Sequence, residues 1–290
     1  MSTILLPPKA PAILRWQAEG CHFQRVDLAP GKPLEFNKVV HDEIVILAFS
    51  GSVWRSTQHG RTYLETPDCV VIRDAGQVFS TTMTQIDSGS GSVCREVHIP
   101  PARLRELYER SENSLPRLDF SRPVLQSKWL AQLLFRTHAL FEAGGCTLEA
   151  TSYLAWLIGA LARETSGQAI KPVRKAGTRR SQLVIEYLRA HFDQKITLQA
   201  LAKLTDANPY VLLRQFRSEI GVTPHDYLQA YRVYRAKQFM QNGIPLADVA
   251  LLCGFSDQSH FNRQFKQRLG ITPRRFLFAE PRPSILSNRL

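Results

Sequence analysis

The chain of 290 residues is 44% hydrophobic and 21% charged, and it carries a formal net charge of +12. This length is typical of two domains, and the hydrophobic content is ample for two buried cores, so the composition predicts a soluble globular protein. No apolar stretch approaches the about 18 to 20 residues of a membrane span, and no basic segment precedes an apolar run at the N-terminus. These features argue against a membrane or secreted protein and predict a cytoplasmic one.

The cysteines are five in number, scattered, and never arranged as a CxxC pair. This pattern argues against both a disulfide framework and a zinc site. We therefore expect reduced thiols, packed as small apolar residues, at Cys21, Cys69, Cys94, Cys146 and Cys253.

The positive charge is confined to the C-terminal part of the chain. Residues 1–170 contain 17 basic and 17 acidic side chains, whereas residues 171–290 contain 20 and 8. This segregation predicts a polyanionic partner for the second part and a neutral task for the first. A merely solvated basic face is the alternative interpretation.

Residues 1–100 are predicted to form a β domain. Short runs rich in Val, Ile, Phe and Tyr are separated by Gly, Pro-Asp and an SGSGS tract, which is the spacing of a small sandwich or barrel. The predicted strands span residues 35–40, 43–49, 61–65, 69–75 and 92–99.

The pattern becomes helical over residues 101–164. Apolar residues from Leu125 onward recur every three to four positions, and Gly144-Gly145 separates two longer helices. Residues 165–180 lack hydrophobic periodicity and are rich in Lys and Arg, which is typical of a linker. Residues 279–290 are a tail without an interpretable pattern.

A repeat dominates residues 181–278. The segment RQFRSEIGVTP at 214–224 returns as RQFKQRLGITP at 263–273. In each copy a helix ends at a Gly and a Thr-Pro step begins the next helix. Preceded by a short helix and a turn, each copy predicts a helix-turn-helix unit, at about 198–220 and 246–269. Two such units suit successive major grooves of double-stranded DNA, spaced by about 34 Å.

Each second helix of the repeat has an inward and an outward face. Leu212 and Phe216 are predicted to pack inward in the first copy, and Phe261 and Phe265 in the second. The outward residues form the predicted DNA-contacting set: Tyr210, Leu213, Arg214, Arg217, Gln258, Ser259, His260, Asn262, Arg263 and Lys266.

These outward side chains suit different parts of a duplex. Arg pairs with a guanine edge and Asn or Gln with an adenine edge, whereas Lys near a helix end suits phosphate. Arg214 and Arg263 have a structural alternative, which is an ion pair with acids of a neighbouring helix. Tyr210 and Leu213 either touch thymine methyl groups or simply pack, which makes the first unit the less specific reader.

Residues 249–276, VALLCGFSDQSHFNRQFKQRLGITPRRF, resemble the AraC/XylS family of bacterial transcription regulators nearly position for position. The resemblance extends over residues 181–278, the whole of that family's seven-helix DNA-binding domain. It implies that a helix from residue 224 to about 240 joins the two units, that helices 209–219 and 258–268 enter successive major grooves, and that RNA polymerase is a partner. Leu213 departs from the pattern, because a polar residue is common there.

The N-terminal part resembles the cupin-like sensory domains of such regulators at residues 41–51 and 67–79. Of a cupin metal site, only the pair His41 and Glu43 is present, since Asp74 and Phe79 replace the expected Pro and last His. A divalent metal needs three or four ligands, so we expect a metal-free pocket and no cofactor. The residues that bind an effector are not identifiable from the sequence.

The fold class predicted is therefore α+β and multidomain: a cupin-like β-barrel with following helices, then an all-α domain with two helix-turn-helix units joined by a long helix. The function predicted is a sequence-specific transcription regulator, an activator switched by a small-molecule effector. Helices 101–164 are expected to carry a homodimer contact or to pack on their own barrel. The alternatives are a cupin-fold enzyme fused to a DNA-binding domain, and an architectural DNA binder without effector.

Overall fold

The structure is a computed structural model. It describes residues 12–31, 33–58, 60–109, 118, 120–144, 148–166 and 178–279. Most of the predicted linker, residues 167–177, and nearly all of the predicted tail, residues 280–290, lie outside these described residues. Within them, no helix is both long and apolar enough to cross a membrane.

Strands β1 to β9 lie within residues 12–99, and one more strand follows. Their bounds are β1 Ala12–Ala18, β2 Cys21–Leu28, β3 Glu35–Val39, β4 Ile44–Ser50, β5 Ser52–Gln58, β6 Arg61–Glu65, β7 Cys69–Arg73, β8 Phe79–Ile86, β9 Ser92–Ile99 and β10 Val124–Gln126. The helices are α1 Pro101–Glu109, α2 Lys128–Gly144, α3 Leu148–Ser166, α4 Arg179–Ala190, α5 Leu198–Leu204, α6 Pro209–Ile220, α7 Pro224–Gln241, α8 Leu246–Leu252, α9 Gln258–Leu269 and α10 Pro273–Ala279.

The strands form two sheets that pack as a sandwich. One sheet has six strands in the order β1-β2-β9-β4-β7-β10, and the other has four in the order β3-β8-β5-β6. The predicted β-rich, cupin-like domain is confirmed, but the sheets are not closed into a barrel. Because β10 belongs to residues 101–164, that helical segment also contributes an edge strand, antiparallel to β7. Leu125 therefore lies on a strand and not on the predicted helical stripe.

Strand β4 explains why the longest apolar run of this domain is continuous. Ile44, Ile46 and Ala48 join the core beneath α2 and α3, whereas the alternating Val45 and Leu47 face the interior of the sandwich. Since successive side chains of a strand point to opposite faces, a strand covered on both sides is apolar throughout. The helices of residues 101–164 thus cover the outer face of the six-stranded sheet.

Strand β3 contains a bulge. Phe36 pairs with Thr81 and Val39 pairs with Phe79, so β3 contains one more residue than β8 between these two pairs. Lys38 in the bulge has a positive φ of 50°, and its backbone N–H donates to the Ser80 hydroxyl at 2.9 Å. The bulge bends the strand and sets the direction of the residues after it.

The C-terminal domain contains both predicted helix-turn-helix units. Helices α6 and α9 have 12 residues each, and each ends at a Gly in the left-handed conformation. Asn208 caps α6 by accepting from the Tyr210 N–H, and Asp257 caps α9 by accepting from the His260 N–H. The turn of the second unit, residues 253–257, is one residue longer than that of the first, residues 205–208.

Gly254 is required in the second turn by its surroundings. Its φ is 70°, and a Cβ there would lie 2.3 Å from the backbone oxygen of Asp193 in the turn after α4. Only Gly combines this conformation with so close an approach. The second unit thereby packs directly against the turn that follows α4, the first helix of the domain.

Helix α7 joins the two units through their cores, as the predicted fold class requires. Tyr227 and Tyr231 on this helix belong to the hydrophobic cluster of the first unit, and Val233 and Met240 belong to that of the second. Its burial on several sides gives α7 almost no amphipathic pattern, although it is a long helix.

The N-terminal domain inserts neighbouring residues into both of these clusters. Val40 and Val78 pack in the cluster of the first unit, while Val39 and Phe79 pack in the cluster of the second. The two domains therefore share hydrophobic cores. The end of β3 and the start of β8 touch both helix-turn-helix units at once.

Replacing Phe265 with Ala should lower the free energy of unfolding by about 3–5 kcal/mol. The Phe265 side chain is fully buried, and its ring lies 5.6 Å from that of Phe261 and 5.5 Å from that of Phe276. Urea unfolding of the full chain measures the change. Asn262→Ala, at an exposed position of the same helix, is the control and should stay within about 0.5 kcal/mol of the wild type. A Phe265→Ala loss as small as the control's would contradict the packing role.

Candidate nucleic-acid interface and effector cavity

The outward face of α6 is formed by the residues predicted from the sequence. Tyr210, Arg214 and Arg217 are exposed, and Leu213 is half-buried, while Leu212 and Phe216 are fully buried beneath them. Tyr210 is 80% exposed, which is a high value for an aromatic side chain that no partner covers. This exposure argues against the packing alternative for Tyr210.

The outward face of α9 is more polar. Gln258, Ser259, Asn262, Arg263 and Lys266 are all exposed on it. His260 lies at its flank, half-buried, where its ring meets that of Phe255 edge to face at 5.5 Å and Nδ1 lies 3.2 Å from the Ser256 hydroxyl. The structure therefore brings the second set of predicted residues onto one open surface.

The structural alternative for the two repeat arginines does not occur in the described part of the chain. Neither Arg214 nor Arg263 forms an ion pair or a hydrogen bond with another described residue. Arg268, in contrast, is 6% exposed, and its guanidinium donates to the Lys38 backbone oxygen at 3.0 Å. Arg268 thus binds the N-terminal domain, whereas Arg214 and Arg263 are available for a ligand outside the protein.

Polar contacts fasten the two domains around the shared cores. Asp42 accepts a hydrogen bond from the Tyr231 hydroxyl at 2.7 Å and pairs with Arg189 at 3.2 Å. Burial, together with this bond to Asp42, raises the pKa of Tyr231 to about 12. Lys38 pairs with Asp226 at 3.0 Å. These contacts join β3 and the loop after it to α4 and α7.

A cavity of about 170 Å³ lies inside the sandwich and reaches the domain boundary. Its walls are mostly apolar side chains of both sheets, with Glu65, Arg73 and Glu96 among them. Its other end is closed by side chains of the DNA-binding domain: Lys237, Leu269, Ile271 and Phe276. The cavity is thus built from both domains, and its contents touch the second helix-turn-helix unit.

A histidine and carboxylate cluster lies beside this cavity. His98 Nε2 is 2.9 Å from Glu96, His98 Nδ1 is 3.5 Å from Glu43, and Glu43 also bonds His22 at 2.5 Å. Burial lowers the pKa of His98, but the bonds to Glu43 and Glu96 raise it by more, so it lies above its ordinary value. Burial and the nearby Lys237 charge hold the pKa of His41 well below its ordinary value.

The two residues of the cupin metal pattern have other partners in the structure. The Glu43 carboxylate is used by His22 and His98, and the His41 ring contacts those of Phe79 and Tyr234. Among the described residues, no group of three His, Cys, Asp or Glu side chains is arranged to hold a metal ion.

Sequence reasoning missed the charged residues of the cavity. Arg73 stands at the end of the apolar run CVVIR, where it looks like an exposed strand end, but it is buried against Glu65 at 2.8 Å. Lys237 lies on α7, which was expected only to join the two units. A charged side chain at an inward position of a strand was the one signal available for Arg73.

Two open recognition helices on a basic all-α domain, fastened to a sandwich with an internal cavity, define a double helix-turn-helix DNA-binding regulator. Residues 201–278 match the family described as "Helix-turn-helix domain". The uncharacterized HTH-type transcriptional regulator YbfI of Bacillus subtilis is 31% identical over 209 residues, covering 70% of this chain and 76% of YbfI. The transcriptional activator RhaS of Escherichia coli is 31% identical over 96 residues, covering 33% of this chain and 34% of RhaS.

The fold is that of a solved regulator over most of its length. Apo ToxT of Vibrio cholerae superposes with a TM-score of 0.67 at 16% identity, covering 90% of this chain and 97% of ToxT. A ToxT structure with a bound unsaturated fatty acid gives 0.61 at 15% identity, covering 95% and 98%. The chain belongs to the AraC/XylS family of transcription regulators, and it is a sequence-specific DNA-binding transcription regulator.

Replacing Arg263 with Ala should cost about 1–3 kcal/mol at the preferred DNA site and relax the choice of one base pair, because the sequence predicts that its guanidinium contacts a base edge. Replacing Lys266 with Ala should weaken binding to all duplexes and lower the salt slope by about one unit, because the predicted partner of its ammonium group is a phosphate. Binding titrations at several salt concentrations separate the two effects, with Lys128→Ala on the distant α2 as the control. Equal losses on specific and random DNA for both variants would refute the assignment.

Stability should fall as the pH rises through the pKa of His98. Since this pKa is raised in the folded state, the stabilisation is complete below the unfolded value of about 6.5 and is lost at higher pH as His98 gives up its proton. His98→Gln should flatten the curve in this range, whereas Asn262→Ala should keep the wild-type shape. Urea unfolding between pH 6 and pH 9 tests this. A wild-type pH dependence in the His98 variant would show that another group is responsible.

Proposed function

We propose that the protein is an effector-responsive transcription activator in the cytoplasm, with α6 and α9 in successive major grooves. The residues predicted from the sequence contact the DNA: Tyr210, Leu213, Arg214, Arg217, Gln258, Ser259, His260, Asn262, Arg263 and Lys266. One observation carries the regulatory part of the proposal. The N-terminal domain places adjacent residues in the cores of both helix-turn-helix units.

This contact regulates the spacing between the two units. The outward faces of α6 and α9 remain open, so the N-terminal domain does not act by covering them. A reader of two grooves binds well only when its recognition helices are about 34 Å apart and correctly oriented. A small shift of β3 and the start of β8 therefore changes affinity without any contact between effector and DNA.

The effector occupies the cavity of the sandwich. Phe276 of α10 and Leu269 of α9 close one end of this cavity, so a bound molecule contacts the second unit directly. An effector shifts the equilibrium only if it binds the active arrangement more tightly than the inactive one. ToxT, which has the same fold, has been solved with a bound unsaturated fatty acid, and this supports a small-molecule effector.

Further partners follow from the family and from the surface. RNA polymerase is the target of an activator bound beside a promoter. The helices of residues 101–164 carry a homodimer contact, supported by exposed apolar side chains on α2 and α3: Trp129, Leu148 and Trp156. Residues 1–100 hold the effector, residues 165–180 link the domains, and residues 181–278 bind DNA. No enzymatic role is proposed, since the relatives above are described as transcription regulators.

Selection of bound duplexes from a random pool tests the DNA-binding part of the proposal. The full chain should recover a motif of two short blocks separated by about one helical turn. A pool without any motif would mean that binding depends on charge alone, and the proposal would fall.

Variation of the spacer between the two recovered blocks tests the role of the domain contact. Lys38→Met removes the ion pair with Asp226 at the boundary and should broaden the range of spacers that the full chain accepts. The matched control is Lys128→Met, whose side chain is 71% exposed on α2. A wild-type spacer preference in the Lys38 variant would show that the N-terminal domain does not set the distance between the units.

A further inference from the structure

We propose that the effector is a small organic monoanion, a carboxylate on a single ring or short chain, and that Arg73 binds its charged group inside the sandwich. This inference rests on the proposed effector function and names the ligand class and the side chain that recognises it. The polar subsite consists of Arg73, with Glu65 and Thr81 beside it.

Arg73 is a buried cation with unused donors. Its side chain is 3% exposed, and Nη2 donates to Glu65 Oε1 at 2.8 Å. Among the residues that the structure describes, Nε and Nη1 have no hydrogen-bond partner. A guanidinium offers donors in a fixed fork that matches a carboxylate, so a bound anion would complete this site.

Two hydroxyl groups of the four-stranded sheet, one on the strand of Phe79 and one on the strand beside it, also lack hydrogen-bond partners among the described residues. Thr81 lines the cavity, and its hydroxyl has no partner among the described residues. Ser56 is directly opposite Thr81 on the neighbouring strand, and its hydroxyl is buried and likewise unpaired there. Since buried polar groups are almost always hydrogen-bonded, this group of donors and acceptors indicates a polar ligand atom at this end.

The charges of the cavity favour an anion. The described residues that line it include three cations, Arg15, Arg73 and Lys237, and two carboxylates, Glu65 and Glu96. The lining therefore has one positive charge in excess. A monoanion balances this charge count and a cation increases the excess. Of the three cations only Arg73 is buried, whereas Arg15 and Lys237 are half-buried.

The size and the remaining walls limit the rest of the ligand. The volume of about 170 Å³ is close to that of an engineered cavity of about 150 Å³ that binds benzene. The walls away from Arg73 are apolar and include Leu47, Phe49 and Trp54. One aromatic ring or a chain of similar bulk fills this space.

The subsite is connected to the DNA-binding domain through Phe79. The guanidinium carbon of Arg73 lies 3.9 Å from the centre of the Phe79 ring. Phe79 packs in the core of the second helix-turn-helix unit, and its N-terminal neighbour Val78 packs in that of the first. An anion bound to Arg73 weakens the attraction between its guanidinium and the Phe79 ring. Ligand binding therefore affects Phe79 and Val78, the adjacent residues that pack in the cores of the two units.

Arg15 and Lys237 are the other cations that could bind the carboxylate. They lie at the end of the cavity closed by Phe276, 5.7 and 5.8 Å from the centre of that ring. Arg15 Nε already donates to Gln24. The experiment below separates this end of the cavity from the Arg73 end.

Calorimetric titration of the full chain with matched probes tests the ligand class. Benzoate, 3-phenylpropionate and hexanoate are compared with their neutral amides and with phenethylammonium. At least one of the acids should bind about ten- to a hundredfold more tightly than its amide, the ratio expected for a hydrogen bond to a charged group. Equal binding of acid and amide, or no binding of any acid at about 1 mM, would overturn the proposal.

Two variants locate the charged group. Glu65→Gln frees the Arg73 charge from its counterion and should raise the affinity for the acid. Arg73→Gln combined with Glu65→Gln avoids an unpaired buried carboxylate and should abolish the preference for acid over amide. Lys237→Met should keep this preference. A preference that survives in the double variant but disappears in Lys237→Met would place the carboxylate at the other end of the cavity and refute the role of Arg73.

Failure of the subsite is distinguishable from failure of the proposed switch. The acid that binds is added to the full chain on the selected duplexes with varied spacers. If the acid binds in an Arg73-dependent way but leaves DNA affinity and spacer preference unchanged, the subsite is supported and the proposed effector switch is refuted. If spacer preference depends on Lys38 but none of the acids binds the protein, the role of the domain contact is supported and the Arg73 subsite is refuted.

Discussion

The arrangement of the whole molecule depends on four apolar side chains that the sandwich shares with the DNA-binding domain. Val40 and Val78 are buried in the core of the first helix-turn-helix unit, and Val39 and Phe79 in that of the second. Val39 is adjacent to Val40 and Val78 to Phe79, so each adjacent pair has one residue in either core, and neither unit can move relative to the sandwich without disturbing the other. Because closely packed protein interiors resist continuous deformation, we expect the two domains to move between discrete arrangements.

Charged and polar contacts then fix the relative orientation of the two domains around this apolar contact. Asp42 holds Tyr231 and Arg189, and Arg268 donates to the Lys38 backbone oxygen, so each partner is fixed in one orientation. Removing one member leaves a buried charge or hydroxyl without compensation, which costs more than the contact itself contributes. The contact between the two domains is therefore specific for one orientation as well as stable.

Local signals determined which parts were predictable from the sequence. The Gly that ends each recognition helix and the inward packing of Phe216 and Phe265 depend on residues a few positions apart, and both were confirmed. Five strands were predicted as well. Strands β1, β2, β5, β8 and β10 were not assigned. Strands β5 and β8 are rich in Ser, Thr and Gln, and β10 pairs with β7, which is distant in sequence, whereas β1 and β2 were missed although they form a hairpin with each other. The buried pair of Arg73 and Glu65 required the sheet pairing to be known.

The bulge in β3 has a consequence for how this protein can change over evolution. Side chains alternate along a strand, so the extra residue at Lys38 decides which of the two following valines faces which unit. A substitution in this strand alters one contact, but a deletion of one residue exchanges the partners of both valines. The length of this short strand is thus constrained more tightly than its composition.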